Sequence, residues 1–113
     1  MSLRNEQMDF LRDVALLLSW LWAHDFEVTG GELARTPEQQ EIYFKTGKSK
    51  TLTQSNHLVR CAIDLNLFVQ GVLCSFEQLK EVGAYWESLN AKNRWGGNFK
   101  GLVDTPHFER NVQ

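Results

Sequence analysis

Residues 57–71 read HLVRCAIDLNLFVQG. The run is rich in branched and aromatic side chains and stops at a turn glycine, which makes it the best strand candidate in the chain. The next stretch, SFEQLKEVGAYWESLN (75–90), reads as a helix. Ser75 can cap it, Glu77 sits in its first turn, and Phe76, Leu79, Val82 and Trp86 form an apolar stripe.

On the N-terminal side, KSKTLTQSN (48–56) is a polar loop. Before it, Thr36-Pro37-Glu38 opens a helix, with Thr36 as N-cap and Pro37 at the first helical position; QQEIYF continues it towards Gly47. FEVTGGELAR (26–35) is β-prone and broken by Gly30-Gly31, the pattern of a strand with a turn or bulge. Residues 5–24 carry Leu11, Val14, Leu18 and Leu21 at helical spacing, and Trp20 and Trp22 widen the apolar surface, so a well-buried helix is expected. At the other end, NRWGGNFKGLVDTPHFER (93–110) holds too many glycines for a helix and reads as a loop feeding a last short strand around His107. Helices mixed with short antiparallel strands in this order indicate an α+β fold.

The 113 residues, 42% apolar and 23% charged, suit one soluble domain over 1–113 with a single core. A net charge of −2 without basic blocks argues against nucleic acid as a partner. Cys61 and Cys74 have apolar flanks and read as buried free thiols rather than a disulfide or a zinc knuckle. The N-terminus carries charges of both signs and no small-residue cleavage site follows it, unlike a signal peptide. VALLLSWLWA (14–23) is about half the length of a membrane-spanning helix. Synthesis in the cytoplasm without an export signal, and no membrane insertion, are the expectations. The chain is expected to act as a monomer.

His57 and Asp64 stand seven apart, an odd offset that a flat strand would point to opposite faces. They can share an ion only if His57 lies at the loop mouth and the strand bends. With His107 they make a set of two imidazoles and one carboxylate, which suits catalytic zinc with an open fourth position. The alternative is a pair of half-exposed loop histidines. Asp104, three residues before His107, could take a proton beside a metal, or could simply shape a turn with Thr105-Pro106. Arg35 precedes a helix cap, where a surface cation is the plain alternative. His24 fits a residue facing a helix dipole.

SNHLVRCAIDL (55–65) resembles the Ser-x-His-(six residues)-Asp signature of zinc peptidases that cut bacterial peptidoglycan. These are the D-alanyl-D-alanine carboxypeptidases, the vancomycin-resistance D,D-peptidases and the phage endolysins acting as L-alanyl-D-glutamate endopeptidases. ARTPEQQEIY (34–43) is similar to the family's Arg-Ser/Thr segment with a glutamine five residues on. WGGNFKGLVDTPHFE (95–109) resembles its closing motif. All three occur in family order and span about residues 28–110.

The resemblance implies the fold shared with hedgehog-type domains, a small antiparallel sheet flanked by helices with zinc in a groove. It implies His57, Asp64 and His107 as zinc ligands, Asp104 as general base and Arg35 as the cation facing the scissile carbonyl. It casts Ser55 and Gln40 as substrate contacts on the peptidoglycan stem peptide, and Glu109 as a group steadying the site. Trp95 would line the cleft or, equally, belong to the core. Two positions depart from the pattern. Many relatives have glycine where Arg60 stands, so the backbone differs there or a cation borders the groove. Asp104 replaces the glutamate of the D,D-peptidases and looks more like the phage endopeptidase branch. The implied activity is that of a phage or prophage endolysin that reaches the wall after release, with a D,D-carboxypeptidase or an inactive metal-binding module as alternatives.

Overall fold

A computed structural model describes residues 2–113. Three helices, α1 (Leu3–Ala23), α2 (Pro37–Lys45) and α3 (Phe76–Ser88), accompany five strands: β1 (Glu27–Gly30), β2 (Ala62–Val69), β3 (Val72–Leu73), β4 (Asn93–Trp95) and β5 (His107–Arg110). All strand pairs are antiparallel. The sheet runs β1-β2-β5-β4, and β3 folds back on the end of β2 as a hairpin. The α+β expectation is met. Among the described residues, no helix is long and apolar enough to cross a membrane.

Helix ends follow local chemistry. Thr36 caps α2 by accepting the Gln39 N–H, and Ser75 makes a reciprocal capping box with Gln78 at α3. The helix α1 is correctly placed, but its buried face is Glu6, Phe10, Val14, Leu17 and Leu21. Leu11 and Trp22, expected inward, are each 59% exposed. The side of α1 that meets α3 and the sheet is decided by Phe10, which packs edge-on against Trp86 at 5.7 Å. Trp20 instead stacks on Tyr85 and on His24, whose Nδ1 lies 2.7 Å from the Trp20 carbonyl at the helix end. Phe76, expected in the α3 stripe, is also largely exposed, whereas Leu79, Val82 and Trp86 are buried as expected. Cys61 and Cys74 are buried and free.

The long strand expected over 57–71 is shorter. Its first residues form a 3₁₀ turn, Asn56–Val59, capped by Ser55 and closed by Arg60 in the left-handed region at φ 57°. The strand β4 lies in the glycine-rich segment expected as loop; it is held at the edge by pairing with β5 rather than by its own composition.

Alternation across the sheet separates two faces. Leu65, Leu67, Phe108 and Trp95 join α1 and α3 in the core. Asp64, His107, Glu109 and Arg94 lie on the opposite face, because Asp64 pairs with His107 and Arg94 with Glu109 in the ladders. A buried ion pair ties α1 to the sheet end. Glu6 accepts from Arg110 Nε at 2.6 Å and from Lys92 at 2.9 Å.

Candidate metal centre

Three donors converge on that face. His57 Nε2 lies 3.3 Å and His107 Nδ1 3.5 Å from Asp64 Oδ1, and all three atoms fall within 4.8 Å of one another. The odd offset is resolved by the 3₁₀ turn and the left-handed Arg60, which lift His57 out of the strand line. Asp64 and His107 need no such device, being direct partners across β2 and β5. Close approach is secured by two glycines. A Cβ on Gly31 would stand 2.9 Å from the Asp64 carbonyl oxygen, and one on Gly96 would overlap the Asp104 carbonyl and crowd His107.

Each imidazole is oriented by its other nitrogen. His57 Nδ1 lies 2.9 Å from the Leu33 carbonyl, which requires a donor there and leaves Nε2 as a lone pair. His107 Nε2 lies 2.7 Å from Glu109 Oε1, which turns Nδ1 inward. His57 Nε2 and Asp64 Oδ1 are both buried with no hydrogen-bond partner. Buried polar atoms are normally satisfied, so two such atoms facing one point mark a place for a cation. Donors bound about 2.1 Å from a tetrahedral zinc stand roughly 3.4 Å apart, close to the 3.3 and 3.5 Å that separate Asp64 Oδ1 from the two imidazole nitrogens. The residues fit zinc.

In the protein alone these groups act strongly on one another. Burial would raise the Asp64 carboxyl, but the two imidazoles beside it outweigh this and hold it well below the usual range. Burial would lower His107, yet Asp64 and Glu109 push it up to about 9. Glu109 is opposed by burial but lowered on balance by His107 and Arg94. Asp104 behaves differently: burial, its largest influence, raises it. Its Oδ2 is 4.0 Å from His107 Nδ1, and its side chain is 47% exposed to the groove.

The groove over these residues has a volume of about 550 Å³ and is lined by Arg35, Ser55 and Asp104 as well as the three donors. Gln40 and Trp95 are not in its wall. Gln40 is fully buried behind it, accepting from Arg35 Nη1 at 2.8 Å and donating to Ser49 Oγ and the Thr51 carbonyl. It positions the arginine and the 49–51 loop and is out of reach of a substrate. Trp95 faces the core, stacked on Phe76, with its indole N–H on the Thr105 carbonyl. It supports the Asp104 loop from beneath. Ser55 both caps the 3₁₀ turn and accepts from Arg35. Arg60 is exposed and does not border the groove; its positive φ is the backbone state for which glycine is suited.

Two further residues, Glu32 and Arg94, support the site. Glu32 pairs with Arg35, whose guanidinium also covers the Tyr43 ring. Arg94 donates to Glu109 Oε2 at 2.7 Å, extending the chain behind His107. Arg94 was legible only as one residue of a loop, because its role depends on the β4–β5 register.

Comparison with known proteins bears on this centre. Residues 48–110 match a family model described as D-alanyl-D-alanine carboxypeptidase. The chain is 34% identical over 102 residues to the L-alanyl-D-glutamate peptidase of Listeria phage A118, covering 86% of this chain and 35% of that protein. It thus spans about a third of the length of this curated relative. The crystal structure of the Serratia marcescens L-Ala D-Glu endopeptidase ChiX is similar with a TM-score of 0.72 and 26% identity, covering 90% of this chain and 77% of that one. Matched over more than half its length, the chain belongs to the D-alanyl-D-alanine carboxypeptidase family of peptidases.

Proposed function

We propose that the chain is a zinc peptidase of peptidoglycan stem peptides, cutting the L-alanyl–D-glutamate bond as an endolysin-type endopeptidase. The observation that carries this reading is the convergence of His57, Asp64 and His107 on one point beside Asp104 in an open groove. The two relatives named above as L-Ala–D-Glu peptidases support the choice of bond. The protein works as a monomer and reaches the wall after release.

Zinc, when held by His57 Nε2, Asp64 Oδ1 and His107 Nδ1, supplies Lewis-acid chemistry at the groove floor. Asp104 Oδ2 takes the proton from the attacking water and passes it to the leaving amine. Its partial burial raises its proton affinity, which suits it to both halves of that transfer. Arg35 directs positive charge at the carbonyl oxygen as the tetrahedral state forms, a contribution of about 3 kcal/mol where single donors have been removed from such sites. Glu32, Gln40 and Ser55 hold its guanidinium in place. Glu109 and Arg94 keep the His107 ring aimed.

The test is mass spectrometry of peptidoglycan digested by the zinc-loaded protein. New amines on D-Glu with fragments ending at L-Ala establish the endopeptidase. Loss of terminal D-Ala alone moves the chain to the carboxypeptidase reading that the family description favours. No product from a folded, zinc-containing protein leaves an inactive metal-binding module.

A further inference from the structure

The groove is more basic than the molecule. The chain has 12 Lys and Arg against 14 Asp and Glu, yet five cations and three carboxylates line this one cavity. The three carboxylates are committed: Asp64 faces two imidazoles, Glu109 is held by His107 and Arg94, and Asp104 stands over the donor cluster. Two of the cations are committed as well, Arg35 to Glu32 and Arg94 to Glu109. Lys48, Lys50 and Lys100 remain. Among the described residues none of the three forms an ion pair, whereas Lys45, Lys80 and Lys92 each do.

These lysines come from two separate segments that meet across the groove. Lys48 and Lys50 follow α2, in the loop that Gln40 anchors through Ser49 and Thr51. Lys100 lies in the segment between β4 and β5. Lys50 reaches over to this second segment, because a Cβ on Gly101 would overlap its ammonium group. Uncompensated positive charge is therefore gathered where two walls of the groove meet.

We propose that Lys48, Lys50 and Lys100 form an anion subsite that binds a free carboxylate of the substrate peptide. This rests on the peptidase reading above and names a feature of its substrate. A glutamyl residue within a peptide uses one carboxyl group for its onward bond and keeps the other as an anion, so an L-alanyl–D-glutamate substrate brings such a group next to the scissile bond. Lysines suit this task as mobile point charges that tolerate variation in the rest of the ligand. Pairing at an open rim is screened by salt, so the contribution appears in substrate capture and weakens as ionic strength rises.

The experiment compares two L-Ala–D-Glu–L-Lys peptides, one with the spare glutamyl carboxylate free and one with it amidated. KM and kcat are measured for the zinc-loaded wild type and the triple variant Lys48→Gln, Lys50→Gln, Lys100→Gln. In parallel, calorimetric titration of both proteins with D-Glu–L-Lys, as acid and as amide, reads binding without cleavage. The acid is expected to be favoured by about ten-fold through KM and Kd, the size of one charge-assisted hydrogen bond. The preference should shrink with added salt and collapse in the triple variant. Equal binding of acid and amide by the wild type overturns the subsite, as does a preference that survives the triple variant. If neither peptide is cut but the acid dipeptide still binds better through the lysines, the subsite stands and the cleavage reading falls. Cleavage of both peptides at equal KM, with equal Kd for both dipeptides, has the opposite meaning.

Discussion

Asp64 on β2 and His107 on β5 are direct partners in an antiparallel ladder, so their side chains share one face of the sheet, with His107 Nδ1 3.5 Å from Asp64 Oδ1. Two of the three candidate donors are therefore placed by strand register, a rigid device, and the third is delivered from outside the sheet by the 3₁₀ turn. A one-residue slip between β2 and β5 would separate the pair.

Removing a donor should remove the metal. His57→Ala and Asp64→Asn are expected to lose zinc on dialysis, measured as metal per chain by mass spectrometry, and stoichiometric zinc in either variant would exclude that residue from the ligand set. Asp104→Asn should keep zinc bound while turnover falls by about 10² to 10⁴-fold. Retained turnover would take Asp104 out of the base role.

The chain Arg94–Glu109–His107 should tune metal affinity. Partners of this kind typically contribute about 10- to 100-fold in affinity. Glu109→Gln is expected to fall in that range and Arg94→Gln by less, since its side chain is half exposed. Competition with a zinc chelator reads both. Wild-type affinity in Glu109→Gln would show that packing alone orients the ring.

Gln40 bonds Arg35, Ser49 and the Thr51 carbonyl from a fully buried position. Gln40→Ala should cost about 1–3 kcal/mol in urea unfolding, because it leaves buried polar groups without partners. It should also lower kcat/KM by releasing the arginine. A variant of unchanged stability would show that water replaces all three bonds.

Arg60 sits at φ 57° with an exposed side chain. Relief of the left-handed strain exceeds the added freedom of the unfolded chain, so Arg60→Gly should stabilise the protein by about 0.5–1 kcal/mol. Thermal unfolding measures this. A lower midpoint would mean that the arginine side chain contributes more than its backbone costs.

Acid should weaken the tie between α1 and β5. Hydrogen bonds from Arg110 and then Lys92 lower the Glu6 carboxyl to about 2 in the folded protein, from an ordinary 4.5. A lowered folded value contributes stability that is complete above about 4.5 and is lost as the pH falls towards 2. The difference in melting temperature between wild type and Glu6→Gln should therefore be constant above pH 5 and shrink as the pH falls from about 4.5 to 2. A gap that did not change across that window would show that Glu6 keeps its ordinary proton affinity.

The amino-acid sequence by itself determined the kinds of element and the chemistry of the centre. Caps at Thr36 and Ser75 and the branched run of β2 are local signals, and they specify helix and strand before any packing occurs. Two histidines and an aspartate in family order name the donor types, which depend on residue identity alone. Tertiary structure decided which way side chains point. The helical spacing of α1 admitted Leu11 as readily as Phe10, and only docking against Trp86 chose between them. Gln40 and Trp95 occupy family positions that suggested substrate contact, yet burial withdraws both from the groove. Strand β4 is held by its pairing with β5, and the role of Arg94 follows from that register. The lysine subsite joins loops fifty residues apart in sequence. Contacts of this range come from the global packing of the chain, and no local periodicity encodes them.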